Sequence, residues 1–160
     1  MSAIHTKHFI HIFLFAFFCV TIQSGQSFAL DALKYDNNLS TSLRFQIDQF
    51  LSEHYKSDSS AYDIASTDLN NDGIFEHILR RKSCNTQKDA CTHIIIAEKK
   101  DRILLLSKIS ARNLMIDSKF SYGIKNILAF KSEINDYDFD IYMWSPEQKL
   151  YIIAEQQTED

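Results

Sequence analysis

The chain has 160 residues, a formal net charge of −4, three glycines and one proline. Its slightly acidic balance lacks the positive excess with which proteins hold nucleic acid regardless of sequence, so we expect no nucleic-acid partner. The scarcity of glycine and proline leaves little room for flexible linkers, and the length suits one domain with a single core.

The first 29 residues predict a secretory signal peptide. Lys7 gives a weakly positive start, an apolar run covers residues 9–22, and Ser27 and Ala29 are the small residues that a signal peptidase accepts. The run is shorter than the roughly 20 apolar residues of a membrane-spanning helix. A buried core helix is the alternative. We expect export through the Sec pathway to the periplasm or the medium, with cleavage after Ala29.

The exported domain, expected over residues 30–160, opens with one amphipathic helix after a short, loose lead-in. Apolar residues recur at helical spacing, namely Leu43, Ile47, Phe50, Leu51 and Tyr55. Ser40 or Thr41 can cap its start, because a hydroxyl accepts the unpaired amide hydrogens of the first turn. The polar residues 56–60 end it. A helix with one apolar face needs a sheet to lie on.

The rest of the domain is typical of short strands joined by tight turns. We expect strands at residues 62–69, 74–82, 92–98, 102–109, 137–144 and 149–154. Residues 124–131 form a further strand or a helical turn, and residues 113–116 are ambiguous. Their steady spacing predicts an antiparallel meander. With the N-terminal amphipathic helix packed on one face of this meander, the fold class is α+β. No apolar run in the domain is long enough to cross a membrane.

Cys84 and Cys91 are the cysteines that remain after signal cleavage, since Cys19 lies within the signal. Export places them in an oxidising compartment, which favours a disulfide between them. A half-built metal site or a redox pair is the alternative. Neither has a Cys-x-x-Cys spacing or a second pair of ligands to support it.

One acidic turn has a chemical interpretation. Oxygen ligands stand at alternate positions, as Asp68, Asn70, Asp72, the carbonyl of Ile74 and Glu76, with Gly73 allowing a sharp reversal. Hard cations such as calcium bind oxygens in this pattern. We therefore expect either no cofactor or a weakly bound calcium ion. The motif is not an EF-hand, because Leu79 stands where a bidentate Glu is required. A purely structural turn uses the same residues, and it is the interpretation that we favour over a calcium site.

The acidic turn also carries a resemblance. Residues 68–76, Asp-Leu-Asn-Asn-Asp-Gly-Ile-Phe-Glu, resemble the Asp-Leu-Asn-x-Asp-Gly-x-x-Glu hairpin of small exported bacterial proteins and of FG-GAP-type blades. Some of those exported proteins continue with a Cys-loop-Cys hairpin and a closing aromatic hairpin, as residues 84–91 and 144–151 do here. The polar loop between the cysteines departs from the usual glycine-rich one. The resemblance implies a fold more than an activity.

The composition carries a second resemblance. A chain rich in Ile, Lys, Asn and Phe with a Sec-type signal is similar to the exported effectors of host-restricted bacteria such as Liberibacter. This resemblance implies a secreted protein that acts on a host.

The last hairpin offers a candidate partner-binding face. Asp138, Asp140, Tyr142 and Trp144 alternate with apolar residues and would share one face of a strand. Aromatic rings supply contact area and aspartates pair with basic groups, so this face predicts a protein partner. A solvated strand face whose charges block aggregation explains the same pattern, and it is the interpretation that we favour for this strand. His77 and His93 are expected on neighbouring strands, but no nucleophile motif accompanies them.

The leading hypothesis from these residues is an exported, non-enzymatic binding protein, an effector or inhibitor acting on a host or envelope protein. We identify no catalytic residues. A metal-assisted hydrolase using Asp68, Asp72 and Glu76 is the first alternative. A periplasmic structural module with a calcium staple is the second.

Overall fold

A computed structural model describes residues 30–100, 102–131 and 138–154. These ranges hold one α-helix, α1 (Thr41–Tyr55), a short 3-10 helix at Ser59–Ala61, and nine strands. The strands are β1 (Asp31–Ala32), β2 (Tyr62–Thr67), β3 (Glu76–Arg81), β4 (Cys91–Lys99), β5 (Arg102–Ala111), β6 (Asn113–Ser121), β7 (Ile124–Phe130), β8 (Phe139–Ser145) and β9 (Leu150–Ile153). No helix within these ranges is long and apolar enough to cross a membrane. The signal-peptide prediction concerns residues 1–29, which lie outside them.

Helix α1 begins and ends where its sequence directs. The hydroxyl of Ser40 accepts a hydrogen bond from the Leu43 amide at 3.1 Å, which caps the first turn. Lys56 adopts a left-handed conformation (φ 52°) and closes the last turn through its amide. The buried face consists of Ile47, Phe50 and Leu51, as the helical spacing predicts.

The strands form two antiparallel sheets. The helix-side sheet has the order β2-β3-β4-β5, and the second sheet has the order β1-β6-β7-β8-β9. The α+β class is confirmed, but the expectation of one continuous meander is not, because the chain crosses to a new sheet after β5. The lead-in is not wholly loose, since β1 pairs with β6. A further bridge joins Tyr35 to Ala65 at the edge of β2.

Each face of the helix-side sheet carries a buried apolar cluster. Its face toward α1 shares one apolar cluster with the helix, formed by Ile47, Phe50, Leu51, Tyr62, Ile64, Leu79, Ile94 and Ile96. Its other face shares a second cluster with the second sheet, including Ile78, Ile95, Ile109, Leu114, Ile116, Ile127 and Tyr151. The domain is therefore layered as helix, sheet and sheet, with the helix-side sheet in the middle.

The disulfide prediction is confirmed. Cys84 and Cys91 are bonded, with their Cα atoms 5.9 Å apart, and close the loop between β3 and β4. Arg112 holds this loop from outside, because its guanidinium donates hydrogen bonds to the carbonyls of Thr86, at 2.9 Å, and Gln87. The loop is thus tied both to its own strands and to the residue that links the two sheets.

Candidate functional site

The acidic turn between β2 and β3 is closed by its own side chains. The Asp72 amide donates to Asp68 Oδ1 at 3.2 Å and to Asn70 Oδ1 at 3.0 Å, and the Gly73 amide donates to Asp68 Oδ2 at 2.9 Å. Asp72 Oδ1 in turn accepts from the Ile74 amide at 2.7 Å. Such bonds are what Asp and Asn side chains make in tight turns. The turn is therefore held by hydrogen bonds between its own side chains and the amides of Asp72, Gly73 and Ile74.

Glu76, the fifth predicted calcium ligand, is directed inward. Its Oε2 accepts a hydrogen bond from the Leu69 amide at 2.9 Å, and its side chain is buried. Burial raises the pKa of Glu76, the Leu69 amide opposes that shift, and the nearby carboxylates of Asp72 and Asp68 raise the pKa further. Across residues 30–100, 102–131 and 138–154, no group of three His, Cys, Asp or Glu side chains is arranged to hold a metal ion. Calcium binding at Asp68, Asn70, Asp72, Ile74 and Glu76 stays a prediction.

The internal hydrogen bonds lead to a test of this turn. Gly73 has φ +83°, so a side chain there is strained even though the space around it is open. We expect Gly73→Val to lower the free energy of unfolding by about 1–2 kcal/mol, with or without calcium. Thermal melts in millimolar calcium and in chelator measure this. A melting temperature that rises with calcium, and no longer rises in Asp72→Ala, would instead establish a calcium site.

A second turn lies beside the acidic one. Lys125 lies at the start of β7. Its backbone amide donates to the carbonyl of Leu69 at 2.7 Å, and its side-chain ammonium donates to the carbonyl of Asp68 at 3.1 Å. Tyr151 donates its hydroxyl hydrogen to the carbonyl of Lys125 at 3.0 Å. These bonds fasten the β6–β7 turn to the β2–β3 turn, although the two belong to different sheets. No local sequence pattern indicates these contacts, because Lys125 is far along the chain from both Leu69 and Tyr151.

The two turns together expose large apolar side chains. The exposed fractions are 56% for Ile74, 53% for Phe75, 46% for Phe120 and 78% for Tyr122. With the carboxylates of Asp68 and Asp72 they form what we call the turn surface. Single exposed apolar residues are ordinary on proteins, but a group of them on adjoining turns is typical of an interaction site.

Tyr122 stands out within the turn surface because of its backbone. It has φ +53° and Gly123 has φ +80°, so the turn needs positive φ at both central positions. Asn, Asp and Gly adopt this conformation readily, whereas a bulky residue does so under strain. An aromatic residue that is both strained and exposed contributes little to the stability of the fold. Such outliers are concentrated at functional sites.

The predicted partner-binding strand face lies differently from the expectation. Tyr142 and Trp144 are partly buried and pack against the core between the two sheets, with the Trp144 ring edge-on to Tyr151 at 5.7 Å. Lys131 pairs with Asp140 at 2.7 Å and reaches Asp138 at 4.0 Å. Partner binding by Asp138, Asp140, Tyr142 and Trp144 stays a prediction, and their side chains already have partners within the fold.

His77 and His93 do not share a site. They lie on opposite faces of the helix-side sheet, because His77 pairs with Ser66 whereas His93 pairs with Arg80 and Ile109. The Ser66 hydroxyl lies 2.9 Å from His77 Nδ1, a contact that only the strand register reveals. Burial lowers the pKa of His77, an effect that the charge of Glu98 opposes. A buried neutral imidazole of this kind can orient the exposed Ser66 hydroxyl.

No family model matches this chain, and no curated protein or solved structure matches it. The resemblances to FG-GAP-type hairpins and to Liberibacter effectors therefore stay predictions.

Proposed function

We propose that the protein is an exported binding protein that recognises another protein through the turn surface. The observation that supports this most directly is Tyr122, an aromatic residue that is 78% exposed at a turn position where its backbone is strained. Tyr is also among the residues that most often dominate the energy of protein interfaces.

The chemistry of the turn surface indicates the kind of partner. Phe75, Phe120 and Tyr122 offer apolar area, and the carboxylates of Asp68 and Asp72 lie on the β2–β3 turn that also carries Phe75. A partner that presents an apolar pocket rimmed with Lys or Arg would complement both features, since rim charges steer association and buried rings supply affinity. With export through the Sec pathway, the partner would be a host or envelope protein.

The rigidity of the turns also supports recognition. The carboxylates of Asp68 and Asp72 hold backbone amides in place, and Lys125 joins the two turns. A surface fixed before binding loses less conformational freedom when the partner arrives. In this proposal the acidic residues act mainly as a scaffold, rather than as the metal ligands of a hydrolase or of a structural module.

The test is capture of a partner from host and envelope extracts with the exported protein, followed by affinity measurements with the partner that is identified. We expect Tyr122→Asn with Phe120→Ser to weaken binding by more than about tenfold, because the contact area of two rings is lost. The variant should fold, since Asn suits positive φ at this position. Phe45→Gln, which removes an exposed ring on α1, is the matched control and should bind normally. Equal affinity of the turn variant and the control would refute the proposal.

A further inference from the structure

A pocket of about 510 Å³ lies at the end of the helix-side sheet opposite the turn surface. It opens where α1 ends, beside the disulfide loop. The lining residues are Tyr55, Tyr62, Arg81, Ser83, Cys84, Ala90, Thr92, Ile94 and Lys108. The volume is within the range of pockets that hold small molecules.

The charges in this pocket have one sign. Among the residues that the structure describes, Arg81 and Lys108 line it, and no carboxylate does. Within the described ranges, neither cation forms a salt bridge; the Arg81 guanidinium lies 5.5 Å from the Tyr62 ring centre, and the Lys108 ammonium lies 5.2 Å from that of Tyr55. Two cations held over aromatic rings, without an acidic partner, leave the pocket positive in a chain whose net charge is −4.

An unpaired hydroxyl supports the same interpretation. Tyr62 is only 1% exposed, and its hydroxyl makes no hydrogen bond with the described residues. A buried polar group without a partner is costly and uncommon in folded proteins, and each such group calls for an explanation. A ligand oxygen that accepts this hydrogen would satisfy it.

The walls of the pocket are fixed in advance. The Cys84–Cys91 bond closes the loop on one side, and Arg112 fastens the same loop through the carbonyls of Thr86 and Gln87. On the other side, Tyr55 belongs to the last turn of α1. A wall held in this way does not have to be ordered when a ligand binds, which favours affinity.

We propose that this pocket binds a small organic anion, with a carboxylate or phosphate group held by Arg81, Lys108 and the Tyr62 hydroxyl and a compact apolar body lying against Ile94 and Tyr55. The guanidinium of Arg81 matches the paired oxygens of either anion. The binding site is separate from the turn surface, so it does not depend on the proposed function.

The experiment uses the exported protein with benzoate, phenyl phosphate and inorganic phosphate as probes, at constant ionic strength. Isothermal titration gives affinities, and amide chemical shifts locate the site. We expect benzoate or phenyl phosphate to bind in the millimolar range or tighter and to shift amides around Thr92 and Ser83. Tighter binding of benzoate would indicate a carboxylate ligand, and tighter binding of phenyl phosphate would indicate a phosphate ester. Inorganic phosphate should bind more weakly, because it lacks the apolar body.

Variants assign the binding to the pocket. Arg81→Gln with Lys108→Gln should weaken the best probe by more than about tenfold, and Tyr62→Phe should weaken it severalfold while the protein stays folded. Arg102→Gln, an exposed cation at the start of β5, is the matched control and should leave affinity unchanged. The proposal is overturned if neither benzoate nor phenyl phosphate binds, or if the double variant binds them as well as Arg102→Gln does.

Discussion

Ile95→Ala and Ile96→Ala should each lower the free energy of unfolding by about 2–5 kcal/mol, as truncations of fully buried Ile residues do. Both side chains are 0% exposed, yet they are neighbours in β4 and lie on opposite faces of the helix-side sheet. Ile96 packs in the cluster under α1, and Ile95 packs between the two sheets. Each truncation therefore removes contacts from a different core.

Urea unfolding of the two variants measures these losses. Ile74→Ala is the matched control, because Ile74 is exposed and its truncation should change stability by less than about 0.5 kcal/mol. In a domain where the helix lay on a single sheet, one of the two β4 faces would be open to solvent. A small effect of either Ile95→Ala or Ile96→Ala would thus contradict the three-layer arrangement.

The sequence around β4 carried a sign of this arrangement. Ile94, Ile95 and Ile96 are consecutive, so both faces of the strand are apolar, whereas a strand covered on one side alternates apolar with polar residues. The helix and the individual strands were predictable because spacing, capping and turns are local properties. The division of the strands between two sheets was not, because it depends on pairings between distant segments such as β1 with β6.

The candidate site shows the same limit. The residues of the acidic turn predicted a tight reversal, and the hydrogen bonds of Asp68 and Asp72 agree with that. The turn surface depends on Lys125 reaching Leu69 from the other sheet, which no local pattern indicates. The sequence of β8 alternates between two faces, and both faces contain aromatic rings. The alternation alone therefore does not indicate which face lies against the core, which is the one with Tyr142 and Trp144.

Acid should destabilise the protein through His93. This residue is 0% exposed in the core between the sheets. Burial lowers the pKa of His93 to about 4, the Arg80 guanidinium adds to the effect, and the backbone groups of Cys91 and Ile109 oppose it. The unfolded chain therefore takes up a proton near pH 6.5, before the native protein does. The contribution of His93 to the free energy of unfolding is fully present above about pH 6.5. It falls by about 3 kcal/mol as the pH drops to about 4.

Other titrating groups modify this profile in known directions. Burial also lowers the pKa of His77, so acid lowers the free energy of unfolding through His77 as it does through His93. Glu76 acts in the opposite direction, because its raised pKa means that the native carboxyl binds a proton more readily than the unfolded one, so acid favours the fold there. A variant that changes only His93 is needed to separate its contribution from theirs.

His93→Leu isolates that contribution. Leu fills the same apolar site without a titrating ring. In urea unfolding between pH 7 and pH 4, the free energy of unfolding of this variant should depend less on pH than that of the wild type. The difference in slope is up to about 1.4 kcal/mol per pH unit, which is the slope that one proton produces. His54→Gln, in the exposed last turn of α1, is the matched control and should keep the wild-type profile. If His93→Leu retained the wild-type slope, the acid sensitivity would belong to other groups and not to the imidazole buried between the sheets.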